Sequence, residues 1–392
     1  MPRSARAAAP VSVRAWRPVW SWRWFRFSTG MRFARQAATY ATGNSLHIAQ
    51  VAPLYESVPP HLYGGTERVV SYLTEELVSQ GHRVTLFASG DSHTSAELVA
   101  ICERAVRLEP EPPAAVALHT LLLEAVFARS DEFDVIHCHT DSIHLPLARR
   151  CAVPVITTLH GRLDIAGLEP LHREFAELPL VSISNAQRAP LPWASWAGTV
   201  HHGLPLGLHR PHYDAGSYLV FLGRIAPEKR VDRAIAIARR AGLPLKIAAK
   251  VDRADQAYFT AEIQPLLAGP GVEYLGEVDE NAKTELLGGA LALLFPIDWP
   301  EPFGLTMIEA MACGTPVIAF AHGSVPEVID PGVTGYIVTS IEEAAACVGR
   351  ARGLDRRACR RQFERRFCAG RMAREYCSIY LNCGMRWCRQ QA

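Results

Sequence analysis

Two glutamates stand eight positions apart in "PEPFGLTMIEAMACGTP" (residues 300–316), Glu301 ahead of a short apolar run and Glu309 inside it. Pro300, Pro302 and Gly304 keep the chain from helix before about Leu305, and Gly314 with Pro316 ends it. The helix between is apolar all round, which predicts a buried one. An unpaired buried carboxylate costs on the order of several kcal/mol, so Glu309 needs a partner. It lies about 6–7 Å along the axis from the helix start, and that start offers unpaired N–H groups to an anion. A phosphate held there would leave a ribose within reach of Glu309, whose oxygens can accept from two vicinal hydroxyls. A salt bridge to a core Arg or Lys is the alternative partner. Glu301 would meet whatever lies beyond the phosphates. The layout fits a nucleoside diphosphate carrying a further hydroxylated group.

Two other loops offer matching chemistry. In "GRIAPEKR" (223–230), Arg224 and Lys229 follow a strand and precede a helix. A guanidinium gives forked hydrogen bonds and an ammonium a point charge, a pair suited to a diphosphate; solvated surface charge is the plainer reading. In "YGGTERVVSYLTEELVSQG" (63–81), Gly64 and Gly65 let a ligand approach the backbone, and a helix start follows. No G-x-G-x-x-G follows any strand, which argues against a nicotinamide-dinucleotide oxidoreductase. No Asp-x-Asp motif or His/carboxylate cluster at metal spacing is present, so no metal and no cofactor is expected.

The elements that must position these loops alternate. Strands are expected at "LHIAQVAP", "HRVTLFAS", "FDVIHCH", "PVITTLH" and "LPLVSIS", with helices between; the first helix is capped by Thr66 and stopped by Gly81. "GLPLGLHRPHYDAGS" (203–217) has no periodicity and reads as a linker. Strands at "YLVFLGR", "LKIAAK", "VEYLG", "ALALLFP" and "PVIAF" then alternate with helices near 231–242, 255–268 and 281–289 and the Glu309 helix. Residues 342–384 read as Arg-rich helix. The fold class is α/β: two Rossmann-like domains facing across a cleft, with a C-terminal helical tail. The expected divisions are 45–206, 207–370 and a tail helix over 371–392.

Bulk properties bound the rest. A chain of 392 residues suits two domains of roughly 150–200 residues. Hydrophobic residues make up 49% and charged residues 20%, the balance of a soluble globular protein; a net charge of +2 argues neither for a polyanion-binding protein nor for a halophilic one, and no nucleic-acid partner is expected. No apolar stretch approaches the ~20 residues of a membrane helix; the longest, near Ala290–Ile297, fits a buried strand. A peripheral membrane contact is compatible with this. Ten cysteines include no C-x-x-C pair, the pattern of free thiols in a reducing cytoplasm. From Met1 to Tyr55 there is no acidic residue, while arginines alternate with Trp16, Trp20, Trp22 and Trp24. A targeting peptide or a membrane- or nucleic-acid-binding face fits that pattern. The reading adopted is translation from Met31, with residues 1–44 a disordered or non-native extension outside the fold.

The block "PEPFGLTMIEAMACGTPVIA", with Glu301-x7-Glu309, "FLGRIAPEKR" and "YGGTERVV", resembles the retaining GT-B glycosyltransferases of family 4, the glycosyl transferase group 1 set, over about residues 46–383. The resemblance implies that Glu309 holds the ribose and that Glu301 contacts the donor sugar with the backbone of Phe303, Gly304 and Leu305. It implies that Arg224 and Lys229 hold the diphosphate as leaving group, that Gly64 and Gly65 line the phosphates, and that His160 of "TTLHG" lies near the reacting face of the sugar. Asp141 and Asn185 sit at strand ends of the same half. His202 matches a hinge-proximal position and is not expected to be catalytic. The tail helix is expected to cross back onto the first domain, as in relatives. Where many relatives carry a glycine after the "LKIAA" strand, this chain has Lys250 and Asp252, so recognition of base or phosphate there is altered. The implied reaction is metal-independent, retaining transfer of a hexose from a nucleotide-diphosphate sugar, UDP-glucose in type, to an acceptor that the sequence does not identify. An epimerase of the same fold and a non-catalytic sugar-nucleotide-binding protein are the rivals.

Overall fold

Short strands rich in Ile, Val, Leu and Ala alternate with amphipathic helices, and the chain folds them as two parallel sheets. The computed structural model describes residues 45–108, 114–214 and 216–391; the expectation for residues 1–44 lies outside these. The first sheet contains β1 (His47–Val51), β2 (Arg83–Ala88), β3 (Glu97–Ala100), β4 (Val135–Cys138), β5 (Val155–Thr158), β6 (Leu180–Ser182) and β7 (Trp196–Thr199), in the order β3-β2-β1-β4-β5-β6-β7. The second contains β8 (Tyr218–Arg224), β9 (Leu245–Lys250), β10 (Val272–Gly276), β11 (Ala290–Phe295), β12 (Val317–Phe320) and β13 (Gly335–Val338), in the order β10-β9-β8-β11-β12-β13. Helices cover the sheets, so the strands are buried; all six residues of β11 are buried.

Strand order reverses between β1 and β4 in the first sheet and between β8 and β11 in the second. In parallel sheets a ligand crevice opens beyond the carboxyl ends of the strands at such a point. Gly64–Gly65, Asp141 and Glu301 follow the ends of β1, β4 and β11, and Arg224 is the last residue of β8. The strand order therefore gathers the residues that the sequence singles out.

Three strands were not expected: β3, β7 and β13. Each is four residues long and each is a sheet edge. An edge strand has one neighbour and is half exposed, so it lacks the continuous apolar run that marks β11. Thr66 does not cap the first helix. That helix runs Gly65–Ser79 with Gly64 at its N-cap and no side-chain cap. The helix expected near 255–268 carries a π turn at Phe259–Ile263 before Pro265, where the missing proline N–H breaks the regular ladder.

The expected Arg-rich helix is three: Ile341–Ala351, Arg356–Arg366 and Ala369–Gln391. Arg356 and Arg360, both buried, donate to the carbonyls of His212 (2.7 Å) and His209 (3.0 Å) and pin the connection between the sheets. The helix Ala369–Gln391 returns to the first sheet. Its Gly370 carbonyl accepts from Gln80 at 3.3 Å, and its fully buried Tyr376 and Tyr380 reach Thr158 (3.0 Å) and His137 (2.7 Å).

Candidate active site

A cleft of about 650 Å³ lies between the carboxyl ends of the two sheets. Gly64, Gly65, His160, Arg224, Lys229, Glu301, Phe303, Gly304, Leu305 and Glu309 all line it. Asp141 and His202 line it too. Asn185 is not among the lining residues. Its backbone and side-chain N–H groups bond Glu327 at 2.8 and 2.9 Å, and Ala186 and His201 bond the same carboxylate at 2.7 and 3.1 Å. Asn185 is thus part of a clasp between the halves and not a cleft residue. Burial pushes the Glu327 carboxyl up, but the His201 ring and the backbone N–H groups of Asn185 and Ala186 outweigh it and hold it down at about 2.

The Glu309 helix spans Leu305–Ala312, with Gly304 at its N-cap. Gly304 has φ 81, and a Cβ there would come within 2.8 Å of Met307 and 3.0 Å of Phe295, so glycine is required. No side chain caps the start of this helix, where Leu305 and Thr306 line the cleft, and the Thr306 hydroxyl is buried and has no partner. Across the gap, a Cβ on Gly65 would meet only the Leu305 side chain, at 3.6 Å. An opening bounded by a free helix start, an unpaired hydroxyl and bare backbone suits an anion.

Glu309 is 3% exposed, and its partner is Lys283, whose ammonium donates to Oε1 at 2.8 Å. The alternative partner foreseen for this carboxylate is therefore present in the free protein. Burial raises the Glu309 carboxyl, but Lys283, His209 and Arg68 together hold it below its ordinary value. His209, Glu280 and Glu309 bring ligand atoms within 4.8 Å of one another. Lys283 also lies 3.2 Å from Glu280, so the ammonium already supplies the positive charge between these carboxylates.

Glu301 accepts from Lys229 and from the Trp299 indole (2.9 Å), and the Lys229 ammonium sits 4.5 Å from the centre of the Trp299 ring. Arg224 bonds Glu228 at 2.9 Å, Asp252 at 3.3 Å and Asp255 at 3.4 Å. Asp252 is bridged to Lys250 at 3.3 Å. The departure noted after β9 thus places a carboxylate on the arginine expected to meet phosphate.

His160 lies at the end of β5, stacked on His202 with ring centroids 5.3 Å apart. Burial pushes it down to about 3, so the ring is neutral at ordinary pH, with one nitrogen a donor and the other an acceptor. Its Nε2 is 2.9 Å from His139 Nδ1. Asp141 takes φ 51, a left-handed conformation uncommon outside glycine.

Sequence reasoning missed Lys283, Glu327, His139 and Glu67. Glu67 is 5% exposed, lines the cleft, and is pushed up to about 7 by burial. The only signal for Lys283 was the need of Glu309 for a cation. The others carried none: an acid in a first helical turn usually answers the helix dipole.

A family model described as "Glycosyl transferases group 1" matches residues 210–352, and one described as "Glycosyltransferase Family 4" matches residues 63–203. The chain belongs to the GT-B glycosyltransferases of this group and is a glycosyltransferase. It is 24% identical over 321 residues to an N-acetyl-alpha-D-glucosaminyl L-malate synthase of Bacillus anthracis, covering 70% of this chain and 80% of the relative. Its fold is similar to that of AviGT4, a glycosyltransferase involved in avilamycin A biosynthesis, with a TM-score of 0.66, 24% identity, and 86% of this chain and 97% of the other covered. It is also similar to Anabaena Alr3699/HepE in complex with UDP-glucose, with a TM-score of 0.63, 17% identity, and 84% and 98% covered. Among the described residues no helix is long and apolar enough to cross a membrane.

Proposed function

We propose that the enzyme transfers a hexose from a nucleotide-diphosphate sugar, UDP-glucose in type, to an acceptor hydroxyl with retention of anomeric configuration. The observation that carries this is the free start of the helix Leu305–Ala312. The unpaired Thr306 hydroxyl stands there, and the buried Glu309 carboxylate lies one turn further in. Glu309 would accept from the ribose hydroxyls while Lys283 keeps it ionised. The helix start, Arg224, Lys229 and the Gly64–Gly65 backbone would hold the diphosphate. Glu301 and His160 would meet the sugar. The UDP-glucose complex of HepE, a protein of the same fold, supports a donor of this kind.

In this reading residues 207–370 form the donor domain and residues 45–206 the acceptor domain. The bond from sugar C1 to the diphosphate oxygen breaks, and its electron pair leaves on the phosphate. The acceptor oxygen bonds C1 on the same face, and its proton passes to that phosphate oxygen. Cationic side chains and helix N–H groups stabilise the developing charge, the largest contribution that such a site can make. We place the reaction in the cytoplasm, in keeping with ten free thiols.

UDP should raise the melting temperature of the protein, because it stabilises the native state to which it binds. The Glu309→Gln variant should lose most of that shift; a full shift would remove the ribose role. With an α-linked donor, proton NMR of the first product should show an α anomer, and activity should survive EDTA. A β anomer or complete loss of activity in EDTA would refute the mechanism.

A further inference from the structure

Behind His160 lies a chain of buried polar groups that donor binding does not explain. Gln50 is fully buried in β1. Its amide nitrogen is 3.2 Å from Tyr380 Oη and 3.5 Å from His137 Nδ1, and its oxygen is 2.9 Å from His139 Nε2. Tyr380 Oη is 2.7 Å from His137 Nδ1, and His137 Nε2 is 2.7 Å from Thr158 Oγ1. These groups can be assigned one consistent set of donors. One amide proton of Gln50 goes to Tyr380 Oη, and the longer 3.5 Å contact to His137 Nδ1 only shares the single lone pair of that nitrogen. Tyr380 donates to His137 Nδ1, and His137 donates from Nε2 to Thr158.

The oxygen of Gln50 then accepts from His139, which must carry its proton on Nε2. A neutral imidazole has one proton, so His139 Nδ1 is bare and accepts from Nε2–H of His160 at 2.9 Å. His160 is left with a bare Nδ1, which is buried and has no partner. Desolvation holds His137, His139 and His202 well below the ordinary imidazole range, so none of them disturbs this order by ionising.

We propose that His139 and Gln50 are positioning residues that fix His160 as its Nε2–H tautomer, so that Nδ1 accepts a hydrogen bond from a hydroxyl of the transferred sugar. Tyr380 of the returning helix anchors the amide of Gln50 and so ties the seating of that helix to the cleft. The inference rests on the reading that the cleft holds a nucleotide sugar. It assigns His160 the role of a neutral acceptor that orients the sugar, not that of a general acid. The polarity of the chain follows from one amide: turned over, Gln50 would reverse every bond and give His160 a proton on Nδ1.

Two measurements on the full chain test this. Nitrogen-15 NMR of histidine-labelled protein reads the tautomer without any ligand. His160 should carry its proton on Nε2, and a proton on Nδ1 would overturn the proposal. The second measurement compares the affinities of UDP and UDP-glucose. The His139→Phe variant removes the acceptor for His160 and should weaken UDP-glucose by roughly three- to tenfold, the worth of one neutral hydrogen bond, while leaving UDP unchanged. The His139→Gln variant keeps one acceptor and one donor in place and should recover most of the loss. Equal weakening of both ligands, or no recovery with His139→Gln, would reduce His139 to packing and overturn the proposal. If the parent binds neither ligand, the donor reading fails while the tautomer measurement still stands.

Discussion

Replacing Glu67 by Gln should make the protein more stable at alkaline pH and flatten its pH dependence. Glu67 lies in the first turn of the helix Gly65–Ser79, 5% exposed. Burial moves its carboxyl from 4.5 to about 7; Glu56 adds to the rise, while backbone N–H groups and Arg107 oppose it. A folded value above the unfolded one means that the native state holds a proton which the unfolded chain has released. The contribution of Glu67 is thus fully present below about pH 4.5 and is lost as pH rises through about 7. A rise from 4.5 to about 7, at ~1.4 kcal/mol per unit, corresponds to about 3 kcal/mol between these limits. The Glu67→Gln variant keeps the shape and cannot ionise. At pH 8.5 it should exceed the parent by up to that amount, about 5–10 °C in melting temperature for a domain of this size. At pH 4.5 the two should nearly coincide. Thermal unfolding of parent and variant across pH 4.5–8.5 measures this. Parallel curves would show that Glu67 ionises freely and is not desolvated.

Three further outcomes follow from the ion pairs. Asp252→Asn frees Arg224 from one of its carboxylates and should tighten UDP several-fold in titration calorimetry; weaker binding would show that Asp252 helps to hold the arginine in place. Glu327→Gln should destabilise the protein above pH 4.5, with the difference fading as pH falls toward about 2, since a lowered carboxyl stabilises only while ionised. A difference that persists at pH 2 would assign Glu327 a purely packing role. Lys283→Met should cost about 3 kcal/mol, measured by urea unfolding, because it leaves Glu309 buried beside one cation fewer. The double variant with Glu309→Leu should recover much of that loss, and a double variant no more stable than Lys283→Met would sink the argument.

The sequence marks the cleft well because its loops are built from residues with backbone consequences. Gly304, Pro300 and Pro302 fix where a helix can begin, so a carboxylate one turn later stands out against apolar neighbours. Buried central strands such as β11 are legible for the same reason: nothing but apolar residues can occupy them. The groups that answer those charges are not legible. Lys283 lies on a short helix of mixed charge with nothing in its spacing to set it apart from Glu280 and Glu285, and Gln50 and His139 read as polar interruptions of strands or strand ends. Only the parallel order of β1, β4 and β5 brings Gln50, His139 and His160 into one line. Three of the four edge strands escaped notice because half-exposed tetrapeptides share no pattern with buried ones.

The cleft of the free protein is electrically settled. Glu309 has Lys283, Glu301 has Lys229, and Arg224 has Asp252, Asp255 and Glu228. A diphosphate entering it would compete with carboxylates already in place on these cations. Its binding is then an exchange of ion pairs, whose net gain is smaller than the sum of new contacts. The exchange is least costly where the incumbent carboxylate can turn to water, as Asp252 can with its side chain 31% exposed. It is most costly at Glu301, whose side chain is 10% exposed and bonded to Trp299 as well. Glu301 can release Lys229 to phosphate only if another donor replaces the ammonium, and the hydroxyls of a sugar are such donors. On this argument UDP alone displaces Lys229 at a penalty and UDP-glucose does not. The affinity gap between them should shrink in the Glu301→Gln variant, because a neutral amide does not hold the lysine back.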